Sequence, residues 1–239
     1  MSGFQTAVVF GAAGGIGRAL TEALTTRAEV VHAVGRRLDA LPTGANIQRH
    51  QADITEEAQI EALLPTLDTP DLVIVATGIL SDAKTGLAPE KTYRQQDLQA
   101  FEQVFRSNTF GPALVAKHLL DLMPRDRRTV FAALGARVGS ISDNRLGGWH
   151  AYRASKAALV MLMRNYAIER ARKAPQAICV CLHPGTVRTD LSAPFQSNVP
   201  EGKLFEPAFA AAALLDVIDS LSPADSGKQF DYAAREIPF

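Results

Sequence analysis

Cysteine is scarce. Only Cys179 and Cys181 occur in 239 residues. They stand two apart in the apolar stretch 177–182, so on a strand they share one face and read as ordinary buried thiols. Two cysteines make no disulfide framework, and no further ligands stand at zinc spacing. Net charge is missing too, with 25 Lys+Arg against 25 Asp+Glu. No global field therefore recruits nucleic acid or an acidic membrane surface. No apolar run approaches the ~18 residues of a membrane span. Residues 1–10 lack the basic region and apolar stretch of a signal peptide, so a reducing cytoplasm is the expected compartment. Aromatics are sparse at 7%, but 47% of residues are hydrophobic and 21% charged. That balance excludes a disordered chain or a fibre. A chain of this size buries roughly 70–75% of its unfolded surface and needs no staples.

What is present is alternation. Short apolar runs at 6–10, 30–34, 47–52, 72–76, 129–134, 178–182 and 227–232 read as strands. Longer segments at 15–27, 56–67, 98–123, 149–173 and 205–221 carry helical spacing. Strands that are apolar on both faces and separated by helices predict a doubly wound α/β fold. Its sheet is parallel, of about seven strands, with helices on both sides. No linker or repeat interrupts the series, so residues 1–239 are expected to form a single domain. Ligands of such sheets sit at the carboxyl ends of the strands.

The first strand runs into Gly11-Ala12-Ala13-Gly14-Gly15-Ile16-Gly17, and a helix begins there. Glycines allow a tight turn and close backbone approach to a pyrophosphate. The helix start offers unpaired N–H groups and a positive dipole end. The bland alternative is a flexible turn; the strand before it and the helix after it favour a dinucleotide site. The second strand ends in Gly35-Arg36-Arg37, where a site for NAD carries an acidic residue. A guanidinium there pairs with a 2′-phosphate, which points to NADP(H) over NAD(H). Otherwise Arg36 and Arg37 are solvated charges. Asp53, with Ile54 beside it, either accepts from the adenine amino group or caps the following helix, a role for which Thr55 competes.

Tyr152-Arg153-Ala154-Ser155-Lys156 lies within a long helical stretch. Residues four apart share a helix face. An ammonium beside a phenol favours phenolate and lowers the tyrosine pKa. Such a pair serves as proton donor to a carbonyl or base for an alcohol. Tyrosine and lysine at this spacing occur in many helices, so the pair gains meaning from the glycine turn.

Taken together, the glycine turn, Asp53, Ala76-Thr77-Gly78, Asn108, Tyr152 to Lys156 and His183-Pro184-Gly185-Thr186 resemble the short-chain dehydrogenase/reductase family end to end. The stretch from Gly139 through Trp149 into the tyrosine motif is similar to the C-factor and sniffer-like carbonyl reductases. The resemblance implies a Rossmann fold with Tyr152 as proton donor. Lys156 would hold the nicotinamide ribose, and Asn108 would kink its helix and serve a proton relay. Ala76, Thr77 and Gly78 stand where the family often has Asn-Ala-Gly. Pro184, Gly185, Thr186, Val187 and Thr189 would line the nicotinamide. His183 reads as a strand-end structural residue.

One departure stands out. The family usually places a serine after the fifth strand, and here Gly135-Ala136 follow. Ser140, or less favourably Ser142, is the replacement if the loop brings it to the substrate oxygen; otherwise no serine takes part. The reading is an NADP(H)-dependent oxidoreductase acting on a small or medium apolar aldehyde, ketone or quinone. A largely apolar loop at about 191–206 covers the substrate. The alternative is an NADP(H)-binding signalling protein of C-factor type with little turnover. The resemblance also implies a homodimer or homotetramer, with no metal, nucleic acid or membrane partner.

Overall fold

The computed structural model describes residues 3–239, so Met1 and Ser2 lie outside the described residues. The eight-stranded sheet contains β1 (Phe4–Phe10), β2 (Ala28–Gly35), β3 (Ile47–Gln51), β4 (Leu72–Val75), β5 (Thr129–Leu134), β6 (Ala177–His183), β9 (Gln229–Asp231) and β10 (Glu236–Ile237). Their order across it is β3-β2-β1-β4-β5-β6-β9-β10. All neighbours pair in parallel except β10, which returns antiparallel against β9. The expected parallel set is there, with one further strand on the edge. A separate ribbon pairs β7 (Thr186–Val187) with β8 (Leu204–Phe205).

Helices cover both faces. α1 (Gly15–Leu24) and α6 (Pro207–Ser220) pack on one side, over Ala7, Val9, Ile74, Val180 and Leu182. On the other side α2 (Glu57–Leu63), α3 (Leu98–Phe105), α4 (Gly111–Leu119) and α5 (His150–Ala171) complete the layer. Val8, Phe10, Val75, Phe131 and Cys181 point into its core. The alternation within β1 and β6, one side chain to each core, is the period-two geometry of a strand buried on both faces.

The single helix expected at 98–123 is interrupted. A π-helical turn, Arg106–Phe110, joins α3 to α4. Gly111 N–H reaches back five residues to the carbonyl of Arg106. Pro112 has no N–H to give Asn108 in the ordinary i→i−4 pattern, so a regular helix cannot continue there. Gly111 also presses on Ile54, whose Cδ1 lies 2.7 Å from where a Cβ would stand. A larger side chain at 111 would have to displace the end of the Ile54 side chain.

Candidate active site

The turn after β1 is built around Gly11, at φ +81°. The N–H groups of Gly11 and Ala12 both donate to Val34 O at the end of β2 (2.9 and 3.0 Å). A Cβ on Gly17 would lie 2.2 Å from Gly11 O, so the first turn of α1 fits against this loop only with glycine there. Gly14 stands at the helix cap with no side-chain capping bond. The leading N–H groups of α1 are therefore left for an anion. Arg36 follows β2 and is exposed. Its guanidinium makes no ion pair among the described residues.

The carboxyl ends of β4, β5 and β6 open onto a cleft of about 670 Å³ that begins at Gly14, Gly15, Ile16 and Arg36. Tyr152 and Lys156 line it from α5. Lys156 Nζ donates to Leu134 O at 2.7 Å and lies 5.8 Å from the centroid of the Tyr152 ring. Burial holds the Lys156 ammonium down, to a pKa of about 8. Burial likewise pushes the Tyr152 phenol up to about 12, although part of its ring faces the cleft. The expected lowering of the tyrosine pKa is thus not met here. Nζ is committed to Leu134, and desolvation outweighs its pull.

Asn108, buried in the π turn, stands behind the pair. Its Oδ1 accepts from Ile79 N (2.7 Å). Its Nδ2 donates to Ile79 O (2.9 Å) and Ser155 Oγ (3.2 Å). Ser155 Oγ donates in turn to Tyr152 O (2.8 Å). A Cβ on Gly78 would stand 3.5 Å from both Asn108 Oδ1 and Lys156 Nζ. The ends of β4, the π turn and α5 meet at this point.

The model of the short chain dehydrogenase family matches residues 5–200. The chain is a short-chain dehydrogenase. It is 34% identical to C-signal of Myxococcus xanthus over 143 residues, 60% of this chain and 81% of that one. It is 29% identical to 1-hydroxy-2-glutathionyl-2-methyl-3-butene dehydrogenase of Rhodococcus sp. (strain AD45), covering 94% of this chain and 95% of the relative. It superposes with a TM-score of 0.81 on a short-chain dehydrogenase/reductase from Burkholderia multivorans solved with bound NADP. Identity there is 25%, over 99% of this chain and 100% of that one.

In this dehydrogenase the cleft gathers most of the residues singled out from sequence. Ala76, Thr77 and Gly78 line it from β4, and Pro184, Gly185, Thr186, Val187 and Thr189 from beyond β6. Among the described residues, Thr77 Oγ1 is buried there without a partner. Gly11, Ala13 and Gly17 shape the turn without lining the cleft. Arg37, Asp53 and Ile54 do not line it either. Arg37 instead stands at the head of a short 3-10 turn, Leu38–Ala40. Asp53 Oδ1 accepts from Thr55 N and Oγ1, both at 2.9 Å, in a local turn. Neither Asp53 nor Thr55 caps α2, which begins after Glu56 with no side-chain bond.

Ser140 is turned away. It is buried, its Oγ accepts from Asp143 N at 3.1 Å, and it is absent from the cleft wall. The 3-10 turn Arg137–Gly139 closes through Ser140 N donating to Arg137 O, which carries the serine past the strand end. Ser142 is also elsewhere, its hydroxyl donating to Phe239 O. Gly135 and Ala136, without hydroxyls, are the residues of this segment that meet the cleft.

Two contributors, Trp149 and Glu90, were not foreseen, and Phe195 comes from the segment expected to cover the substrate. Trp149, at φ +51°, leads into α5 and packs edge-on against Tyr152, with ring centroids 6.2 Å apart. Glu90 is buried, and its carboxylate accepts from Ala151 N (3.2 and 3.4 Å). It thereby caps the helix that carries Tyr152 from a distant loop. Phe195 lies 5.1 Å from the Trp149 ring, on the far wall. The Gly147-Gly148 pair ahead of Trp149, both at positive φ, is the sequence signal for this unusual entry.

Proposed function

We propose that this dehydrogenase reduces small or medium apolar carbonyl compounds with NADPH. The observation that carries the reading is the convergence in one cleft of the glycine turn, Arg36 and the Tyr152–Lys156 pair. The site fits a phosphorylated dinucleotide. The turn leaves helix N–H groups free beside an unpaired guanidinium, and Thr77 Oγ1 waits without a partner.

The glycine turn takes the pyrophosphate and Arg36 the 2′-phosphate, with Arg37 next to it and Asp53-Ile54 toward the adenine. Lys156 holds the nicotinamide ribose, and Pro184 to Val187 with Thr189 bracket the ring. When bound, NADPH supplies the hydride to the carbonyl carbon. Tyr152 gives its proton to the carbonyl oxygen, and Asn108 keeps the Tyr152–Lys156 helix registered against β4. Placing Lys156 as a full cation by the phenol draws the Tyr152 pKa down from the level burial gives it. Trp149, Phe195, Val199 and Leu191 supply an apolar wall for the substrate. The substrate segment, about 191–206, is tied at its base. There Val187 pairs with Phe205 in the β7–β8 ribbon, and Ser192 Oγ donates to Val187 O at 2.5 Å.

We further read the chain as one domain working in the cytoplasm as a homodimer or homotetramer. Exposed Phe110, Met161 and Ile168, on the π turn and α5, support a self-association face. The resemblance to C-signal supports a second reading, a signalling protein that binds NADP(H) without turnover. Intact Asn108, Tyr152 and Lys156 weigh against it. The deciding experiment titrates the protein with NADPH and NADH by nicotinamide fluorescence and then screens carbonyl compounds. Tight NADPH binding with turnover that Tyr152→Phe abolishes supports the reductase. Binding without turnover on any carbonyl supports the signalling protein, and no binding rejects both.

A further inference from the structure

The strand end that lacks a hydroxyl has an unused imidazole beside it. Ala133 of β5 pairs with Cys181 of β6, both facing the α5 side. Two residues on along that face come Gly135 and His183, held side by side by Gly135 N donating to Leu182 O at 2.9 Å. A Cβ on Gly135 would come within 3.1 Å of Cys181 Cβ, so the glycine leaves this face low where it meets the cleft.

α5 runs back over β6 in the opposite sense, as a crossover between parallel strands must. Lys156 lies over the end of β5 and is close enough to interact with Cys181. Four residues nearer the helix start, about 6 Å along its axis, stands Tyr152. Two residues along β6, about 6.6 Å, stands His183. Tyr152 is therefore to His183 what Lys156 is to Cys181, and Tyr152, Lys156, Gly135 and His183 all line the same cleft.

His183 makes no side-chain hydrogen bond among the described residues. Its Nδ1 is buried without a partner, which leaves Nε2 as the nitrogen toward the cleft. A neutral imidazole carries one N–H. A buried bare acceptor costs less than a buried orphan N–H, which favours the tautomer with its proton on Nε2. The ring is held neutral. Burial first, and then the guanidinium of Arg137, push its pKa down to about 4 against the weaker opposing pull of Asp231.

We propose that His183 is a catalytic residue, its Nε2–H donating a hydrogen bond to the substrate's carbonyl oxygen in place of the missing hydroxyl. The inference rests on the reductase reading. No proton leaves His183; Tyr152 supplies it, and His183 steadies the oxygen as negative charge builds. Loss of one such donor lowers rate by roughly 10²–10³-fold.

The test compares wild type, Tyr152→Phe, His183→Leu and His183→Gln in NADPH-dependent reduction of benzaldehyde and 9,10-phenanthrenequinone. Alongside, NADPH affinity is measured by fluorescence, and the His183 ring nitrogens are followed by 15N NMR in the NADP⁺-bound protein as benzyl alcohol is added. The expected result is kcat/KM down about 100-fold in His183→Leu with NADPH affinity within twofold of wild type. His183→Gln, which keeps an N–H donor, retains most of the activity, and the Nε2 signal moves on adding the alcohol. An active wild type with an unimpaired His183→Leu variant, or an Nε2 signal that stays put, overturns the role of His183 alone. A wild type inert on both probes sinks the reductase reading and this inference with it.

Discussion

The two arginines after β2 look alike in sequence and differ in place. Arg36 lines the cleft, whereas Arg37 heads a short turn. Arg36→Ala is expected to weaken NADPH about tenfold or more and to leave NADH little changed, a difference that fluorescence titration reads directly. Arg37→Ala is expected to do less. Gly17→Ala tests the turn itself. Its new methyl would sit 2.2 Å from a backbone oxygen that cannot swing aside. Both cofactors should lose affinity together, and an alanine variant that binds NADPH normally would refute the role given to the turn. The Tyr152–Lys156 pair was legible because four-residue spacing fixes a helix face whatever surrounds it. Its electrostatics were not legible, because burial depends on neighbours distant in sequence.

Among the elements, the strands were the easiest to read, since a short run apolar on both faces, bounded by turns and helices, fits a sheet covered on two sides. The π turn was not readable as such. Pro112 announces a break, but its missing N–H alone does not say whether the chain kinks, ends or bulges. Ser140 was misplaced for a related reason. Its spacing from Tyr152 is suitable, but the 3-10 turn at Arg137–Gly139 rotates it inward. Glu90 could not be linked to α5 at all from sequence, being 61 residues from the N–H it accepts. α5 has no side-chain cap of its own, so Glu90 supplies both an acceptor and a negative charge at its start. Glu90→Ala is expected to cost about 1–2 kcal/mol of stability. It should lower kcat more than NADPH affinity, as a melting curve and a steady-state assay would show. Unchanged melting would remove Glu90 from the account of the helix.

At the level of the whole molecule, stability should depend on pH in a direction set by its buried titratable groups. His183 has a folded pKa of about 4 against an ordinary 6.5, and burial also lowers His32 and His50. The unfolded chain therefore takes up more protons below pH 6.5. Stability is present above that value and is lost as pH falls toward 4, at up to about 1.4 kcal/mol per pH unit for each proton. Lys156, at about 8 in the folded chain, acts on the alkaline side. Taken alone, Lys156 raises stability as pH rises from 8 to its ordinary 10.5, but above pH 9 the thiols of Cys179 and Cys181, raised by burial from 9 to about 12, act the other way and together outweigh it. Thermal melts across pH, with His183→Gln flattening the acid limb and stability falling again above pH 9, check both signs. A limb of unchanged slope in that variant would place the acid sensitivity elsewhere.

The two thiols of β6 give the molecule a built-in clock. Cys179 and Cys181 are free and buried, and burial pushes both pKa values up to about 12. A thiol-reactive dye needs thiolate, so it can reach them only in molecules whose central sheet has come apart. The rate of dye uptake then counts openings of the strand that ends at His183. With NADPH at 100 times its dissociation constant, the open fraction drops roughly 100-fold. Labelling should slow by the same factor, with no residue introduced to carry the dye.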